Sequence, residues 1–171
     1  MSVLVEGINV IISHAAVEHV YPGGLAALER DAPLETFCTD GYLVRVGFYA
    51  QADAEYFAGM LVASGLAAPV RGIAIDFVIV DQNLGPQQPC LWLEMGRERD
   101  GTRVGWHAAA RRGSVHVPAL WEPSAGPRLG DVPGRAFAKL VRYIKTEDSV
   151  DWYHDRRSGR LVSMQRPFVS H

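Results

Sequence analysis

Apolar and polar positions change rhythm several times along the chain, and each change marks an expected element. Val3 to Ile12 is apolar and rich in β-branched residues, which favours a strand. His14 to Val20 suits a short helix. It stops at Tyr21-Pro22-Gly23-Gly24, where Pro22 lacks an amide hydrogen and the glycines cost conformational entropy. Helical character resumes from Leu25 to Arg30, the segment through Cys38-Thr39-Asp40-Gly41 reads as a loop, and Leu43 to Tyr49 reads as a second strand. Within Ala52 to Ser64, Phe57, Met60, Leu61 and Ser64 recur at i, i+3, i+4 and i+7 and form one mostly apolar helical face. Gly65 stands where a left-handed C-terminal cap belongs, with Leu66 placed to pack back on the last turn. Ile73 to Val80 is nearly continuous in apolar residues, broken at Asp76, the pattern of a strand buried on both faces.

Cys90 to Glu98 and Thr102 to Ala110 form two strand-like runs around Asp100-Gly101, a dipeptide suited to a two-residue hairpin turn. That turn pairs Arg99 with Thr102, Met95 with Trp106 and Leu93 with Ala108. It collects Leu91, Leu93, Met95, Val104, Trp106 and Ala108 on one face. A three-residue turn would set Leu93 opposite His107 and mix the faces, so the hydrophobic pattern favours the first register. Residues 111–134 form a long Pro- and Gly-rich connection in which Val115 to Leu120 can add a short edge strand. From Pro133 to about Lys145 the spacing of Phe137, Leu140, Val141 and Ile144 predicts a docked helix, with Arg135, Lys139, Arg142 and Lys145 around it. Asp151 to Asp155 and Arg160 to Met164 then read as a hairpin across Arg157-Ser158-Gly159.

These elements predict a single α+β domain over residues 1–171. Its sheet is mixed or mostly antiparallel with five to seven strands, and two or three helices pack mainly on one face. A chain of 171 residues, 48% apolar and 21% charged, buries roughly 70% of its unfolded surface and needs no disulfide or metal to fold. The early hydrophobic run has no basic region before it and is interrupted by Glu6 and Asn9. It is expected to be neither a signal peptide nor a membrane span. With Cys38 and Cys90 as the only cysteines, the expected location is the cytoplasm with both thiols free. Fifteen arginines against two lysines point to a GC-rich bacterial genome.

Charge changes the picture more. Residues 1–96 hold three arginines and eleven carboxylates, a net −8; residues 97–171 hold fourteen basic and eight acidic residues, a net +6. Such asymmetry marks a binding surface, neutralises within one folded molecule, or drives acidic-to-basic self-association as a homodimer or other homo-oligomer.

Candidate chemistry lies in two places. The hairpin register expected above sets Glu94 opposite His107, with Trp92 and Cys90 further along. A carboxylate beside an imidazole can orient it for proton transfer, whereas on an open sheet the same pair is a cross-strand charge pair. The second place is the loop from Asp81 to Pro89, whose Gln82, Asn83, Gln87 and Gln88 offer uncharged donors and acceptors to a ligand. Asp81 is a candidate general base there, or a cap on the strand end. Cys90 or Cys38 with His107 could form a nucleophile–base pair, but no cysteine-enzyme signature surrounds either thiol. The histidine spacings match no metal-site pattern, so no metal and no cofactor are expected. Arg156, Arg157, Arg160 and Arg166 near Trp152, Tyr153 and Phe168 resemble a single-strand-binding pattern. Interspersed Asp148, Asp151 and Asp155 and a pI near 6.3 argue against nucleic acid. The sequence therefore favours a non-catalytic interaction protein, for example an immunity-type inhibitor, that meets a protein partner through a charged face. The alternative is a small enzyme or small-molecule binder with a pocket around Glu94, His107, Trp92 and Asp81.

Overall fold

The computed structural model describes residues 1–33, 36–119, 121, 141–147, 150–155 and 161–165. Contacts divide the chain into two compact units, residues 1–121 and 122–171. The class is α+β with mostly antiparallel strands. The strands are shared among sheets of five, four and three rather than gathered in one.

The first unit is built on a five-stranded antiparallel sheet. Its order is β3 (Cys38–Thr39), β4 (Leu43–Phe48), β2 (Ile8–Ser13), β5 (Phe77–Asp81), β6 (Gly85–Pro86). One face carries Val10, Ile12, Val44, Val46, Phe77 and Ile79. They pack on Val17 of α1 (His14–Val20), Leu28 of α2 (Gly24–Asp31), and Ala54, Phe57 and Leu61 of α3 (Gln51–Ala63). The opposite face carries Ile11, Leu43, Val78 and Val80 against Val3, Val5 and Leu93. Those belong to the second sheet, ordered β7 (Leu93–Arg97), β8 (Arg103–His107), β1 (Ser2–Leu4), β9 (Val115–His116), and to its exit at Val5. Helices, central sheet and second sheet thus form three layers, and β5 is buried on both faces as its composition implies.

Local signals explain the helix ends. The Gly65 amide donates to Val62 O (3.0 Å) and the Leu66 amide to Leu61 O (3.1 Å), with Gly65 at φ 106°, the paired bonds of a Schellman cap. Cys38-Thr39, expected in a loop, instead adds an edge strand to β4. The edge strand expected from Val115 is shorter, Val115–His116, and runs parallel to β1.

Three expectations are corrected. Val3 to Ile12 is two strands, because the chain leaves the second sheet after Leu4 and enters the central sheet at Ile8 through Gly7, at φ 66°. The 93–107 hairpin takes the register set aside above: Leu93 faces His107, Glu94 faces Trp106 and Met95 faces Gly105. Asp100 has an ordinary φ and Gly101 a positive one (89°). The Glu98 amide donates to Thr102 O (2.8 Å) and the Gly101 amide to Glu98 O (3.0 Å). This is a three-residue loop with the glycine as its left-handed third residue, not a type I′ turn. Finally, Val141–Glu147 is strand β10, not the end of a helix; residues 133–140 lie outside the described residues.

β10 forms a three-stranded sheet in the second unit with β11 (Val150–Asp155) and β12 (Leu161–Gln165). The expected C-terminal hairpin is therefore present as β11–β12, though its turn residues lie outside the described set. Val141, Tyr143, Ile144 and Thr146 are β-branched or aromatic, and the neighbouring strand supplies a ladder that overrides helical spacing. The register shifts between Tyr143 and Lys145, so the extra residue Ile144 hides the period-two alternation.

Between the two sheets of the first unit lies a buried polar group that orders the chain crossing. Arg45 is 3% exposed and Asn9 fully buried. The Arg45 guanidinium donates to Asn9 Oδ1 (2.6 Å), Thr36 O (2.8 Å) and Glu6 O (3.2 Å). Gly47 leaves the room: a Cβ there would stand 2.6 Å from Arg45 Nη2. Trp121 Nε1 donates to Glu6 Oε2 at 2.8 Å, and Asn9 Nδ2 donates to Gly7 O at 3.2 Å. Removing the guanidinium strands several buried acceptors. Arg45→Ala is therefore expected to cost about 3–5 kcal/mol, and Gly47→Ala about 1–3 kcal/mol. Urea unfolding of both variants measures this; an Arg45→Ala loss under 1 kcal/mol would show that the group is dispensable.

Candidate functional site

His107 ends β8, opposite Leu93, whose side chain enters the core between the sheets. Directly opposed residues share a face, so His107 lies on the core side at the rim, and Glu94 with Trp106 lies on the other face. The structure does not bring Glu94 and His107 together. The Glu94 carboxylate instead accepts the Trp106 indole hydrogen (Nε1 to Oε2, 2.8 Å). Trp106 lies over Gly96, where a Cβ would come within 3.1 Å of the ring. The Arg112 guanidinium sits 5.0 Å from the Trp106 ring centroid and bonds Glu98 Oε1 at 2.9 Å. It also donates to the Arg97 carbonyl. Glu94 is thereby engaged in orienting a tryptophan.

The His107 ring stacks on Trp92 with centroids 6.3 Å apart and planes 18° apart, and Tyr42 stands 6.2 Å away. Each ring is fixed by backbone. Trp92 Nε1 donates to Ile75 O (2.5 Å), the Ala108 amide to Trp92 O (2.8 Å), and the Ala109 amide to His107 Nδ1 (3.1 Å). Accepting at Nδ1 places the neutral imidazole's proton on Nε2. Tyr42 is held by the turn before β4, where Asp40 Oδ1 accepts the Tyr42 and Leu43 amide hydrogens at 2.9 and 2.8 Å.

Asp81 is at the other end of β5. Ile75 lies before Phe77, the first residue of that strand, and Asp81 is its last. Its Oδ1 accepts the amides of Asn83 (2.7 Å) and Leu84 (2.9 Å), so it caps the turn after the strand. Gln82 is used inwardly: its Oε1 accepts the Gly7 amide (3.0 Å) and its own amide donates to Gly7 O (2.8 Å), which pins the crossing between sheets. Asn83 and Gln87 are exposed and Gln88 is half-buried. The Gln87 amide donates to Ile79 O at 2.9 Å.

Both thiols are free. Cys38 donates to His116 O (3.6 Å), and burial pushes its thiol up to about 11, with Arg45 opposing and Asp40 adding to the rise. Burial also raises Cys90. Neutral thiols at physiological pH do not serve as nucleophiles. Of the basic–aromatic segment, Tyr143 meets Tyr153 edge-on at 5.8 Å; Arg156, Arg157, Arg160, Arg166 and Phe168 lie outside the described residues.

Charge in the first unit follows the layers. The three helices carry Glu18, Glu29, Asp31, Asp53 and Glu55 against Arg30, a net −4. On the far side of the central sheet, residues 93–116 carry five arginines against three carboxylates. Among the described residues, the ion pairs Arg112–Glu98 (2.9 Å) and Lys145–Glu147 (2.6 Å) both close within residues 97–171. Glu18, Glu29 and Asp53 make no ion pair among the described residues.

Sequence reasoning missed Tyr42, Arg45 and Arg71. Val70 and Ile73 bond each other through both backbone pairs (2.9 and 3.0 Å), with Arg71 at φ 52° and Gly72 at φ 77° between them. Positive φ at both central residues is the type I′ requirement, which costs a non-glycine residue about 1–2 kcal/mol. Only Gly72 hinted at it, because arginine is not a usual first residue of such a turn.

No protein-family model, curated protein or solved structure matches the chain. No described helix is long and apolar enough to cross a membrane.

The raised Cys38 pKa predicts a pH dependence. Above pH 9 the unfolded chain releases this proton while the folded chain keeps it to about 11, so stability falls as pH rises across that window. Below pH 9 the contribution is complete. Unfolding wild type and Cys38→Ala from pH 8 to 11 should show a steeper downward slope in wild type than in the variant, which keeps the contribution of Tyr21, itself raised by burial; parallel curves would rule it out.

Proposed function

We propose that the chain is a non-catalytic interaction protein that holds a cationic protein partner on the acidic outer surface of its helical layer, as an immunity-type inhibitor would. The observation that carries this reading is the segregation of charge between layers: a net −4 on the helices, with Glu18, Glu29 and Asp53 making no ion pair among the described residues. The same surface exposes Tyr56 on α3 at 75%. Tyrosine is favoured as a binding anchor because it offers large contact area at low entropic cost. Glu94 and Asp81, each engaged in holding its own neighbourhood, add support against catalysis. The arginine-rich composition and paucity of cysteine suit a bacterial cytoplasmic protein.

Native mass spectrometry of the untagged protein from its own host, at low salt, tests this. A basic partner should co-purify and dissociate as salt is raised. Asp53→Lys with Glu29→Lys should weaken the complex about tenfold or more, since charge reversal across an interface costs several kcal/mol. A salt-independent complex, or one indifferent to the reversals, sinks the proposal. Self-association of acidic helices on the arginine-rich sheet of a second copy would appear instead as a salt-sensitive homo-oligomer.

A second reading, a small-molecule binder, draws on the stacked Trp92–His107 pair with Tyr42. A planar ligand there should quench tryptophan emission, and His107→Ala should abolish the quenching with the fold intact. Unchanged quenching would remove this reading.

A further inference from the structure

The Arg71 turn presents a guanidinium within an apolar stretch of the chain. From Ser64 to Ile75 it is the one charged residue in the sequence. It is exposed and makes no hydrogen bond or ion pair among the described residues. Val70 (55% exposed), Ile73 and Ile75 lie within four residues of it in the chain, and Leu91 (81% exposed) lies on the neighbouring segment. These come from two segments that the backbone ties together: the Ala74 amide donates to Pro89 O at 2.9 Å, and Trp92 Nε1 bonds Ile75 O. Exposed apolar groups gathered in this way mark an interaction surface.

The backbone adds to the argument. Glycine or asparagine would occupy the left-handed position with little strain, yet a long cationic side chain stands there. The turn is closed by both cross-strand bonds, so the arginine is presented from a pre-formed base. One guanidinium in an apolar field suits a carboxylate, which it can bind through two parallel hydrogen bonds. A nucleic acid backbone needs several cations in a row, and the turn has one.

We infer that the turn Val70–Ile73, with Ile75 and Leu91, is a docking knob for a protein segment that presents an Asp or Glu between apolar side chains. This surface is separate from the acidic helices, and the two predict opposite partner charge.

A random-peptide library displayed on phage and panned against the full chain tests it. Selected peptides should converge on a carboxylate flanked by apolar residues. A synthetic copy should lose about tenfold or more in affinity for Arg71→Gly, as truncation of an arginine anchor does. Arg71→Gly relieves the backbone, so its melting temperature should stay level or rise, which separates lost binding from lost fold. No enrichment, peptides without an acidic residue, or affinity retained by Arg71→Gly would each overturn the inference. Basic peptides that ignore Arg71 but are lost in Asp53→Lys would overturn it too, in favour of the helical surface alone.

Discussion

A buried arginine joins the two sheets of the first unit. Arg45 belongs to the central sheet by its backbone, and its guanidinium reaches the carbonyl of Glu6, on the link that carries the chain from the second sheet into the central one. Asn9 and Thr36 each accept another of its hydrogens. A charge taken out of water is tolerated only when it is hydrogen-bonded, and these bonds fix where the chain crosses. Gln82 completes the arrangement from β5 by bonding the Gly7 backbone in both directions. A polar group of this kind adds less to stability than to choosing one arrangement of the layers.

That arrangement decides where chemistry can gather. Residues at the N-terminal ends of β4 and β5 and around the open end of the β7–β8 hairpin meet at one end of the sandwich. Tyr42, Ile75, Trp92 and His107 assemble there. Asp81 and Gln82 sit at the opposite end, and Glu94 points to the outer face of the second sheet. The same layering keeps the helical carboxylates and the hairpin arginines on opposite sides of the central sheet.

Much of this was legible in the sequence, for reasons that can be named. α3 and its glycine cap follow from spacing and from the left-handed residue that only Gly65 supplies cheaply. The double burial of β5 follows from the apolar run Phe77–Val80, although the strand expected from Ile73 begins only after Asp76, at Phe77. The hairpin register did not follow, because Asp100-Gly101 fits two loop types and the hydrophobic pattern favoured the wrong one. His107 takes a core-side position on the strength of ring stacking with Trp92 and Tyr42, which no apolar count captures. The helix expected to run to Lys145 failed at Val141–Glu147 because a bulge disguised strand alternation as helical spacing. Arg45 was invisible for a different reason: its partners are mostly backbone carbonyls, and sequence does not display those.

β1 pairs with strands whose residues lie about a hundred positions later, Val3 with Gly105 and Ser2 with Val115. The central sheet and its helices, by contrast, are complete by Pro86. Contacts so distant in sequence form late, since a long loop must close before they reward it. During synthesis the helical sheet can therefore close while the first residues wait without partners, with one apolar face of that sheet bare. Closing the second sheet over it is the step most exposed to wrong pairing, and it depends on strands β7, β8 and β9, which are made only after the central sheet is complete.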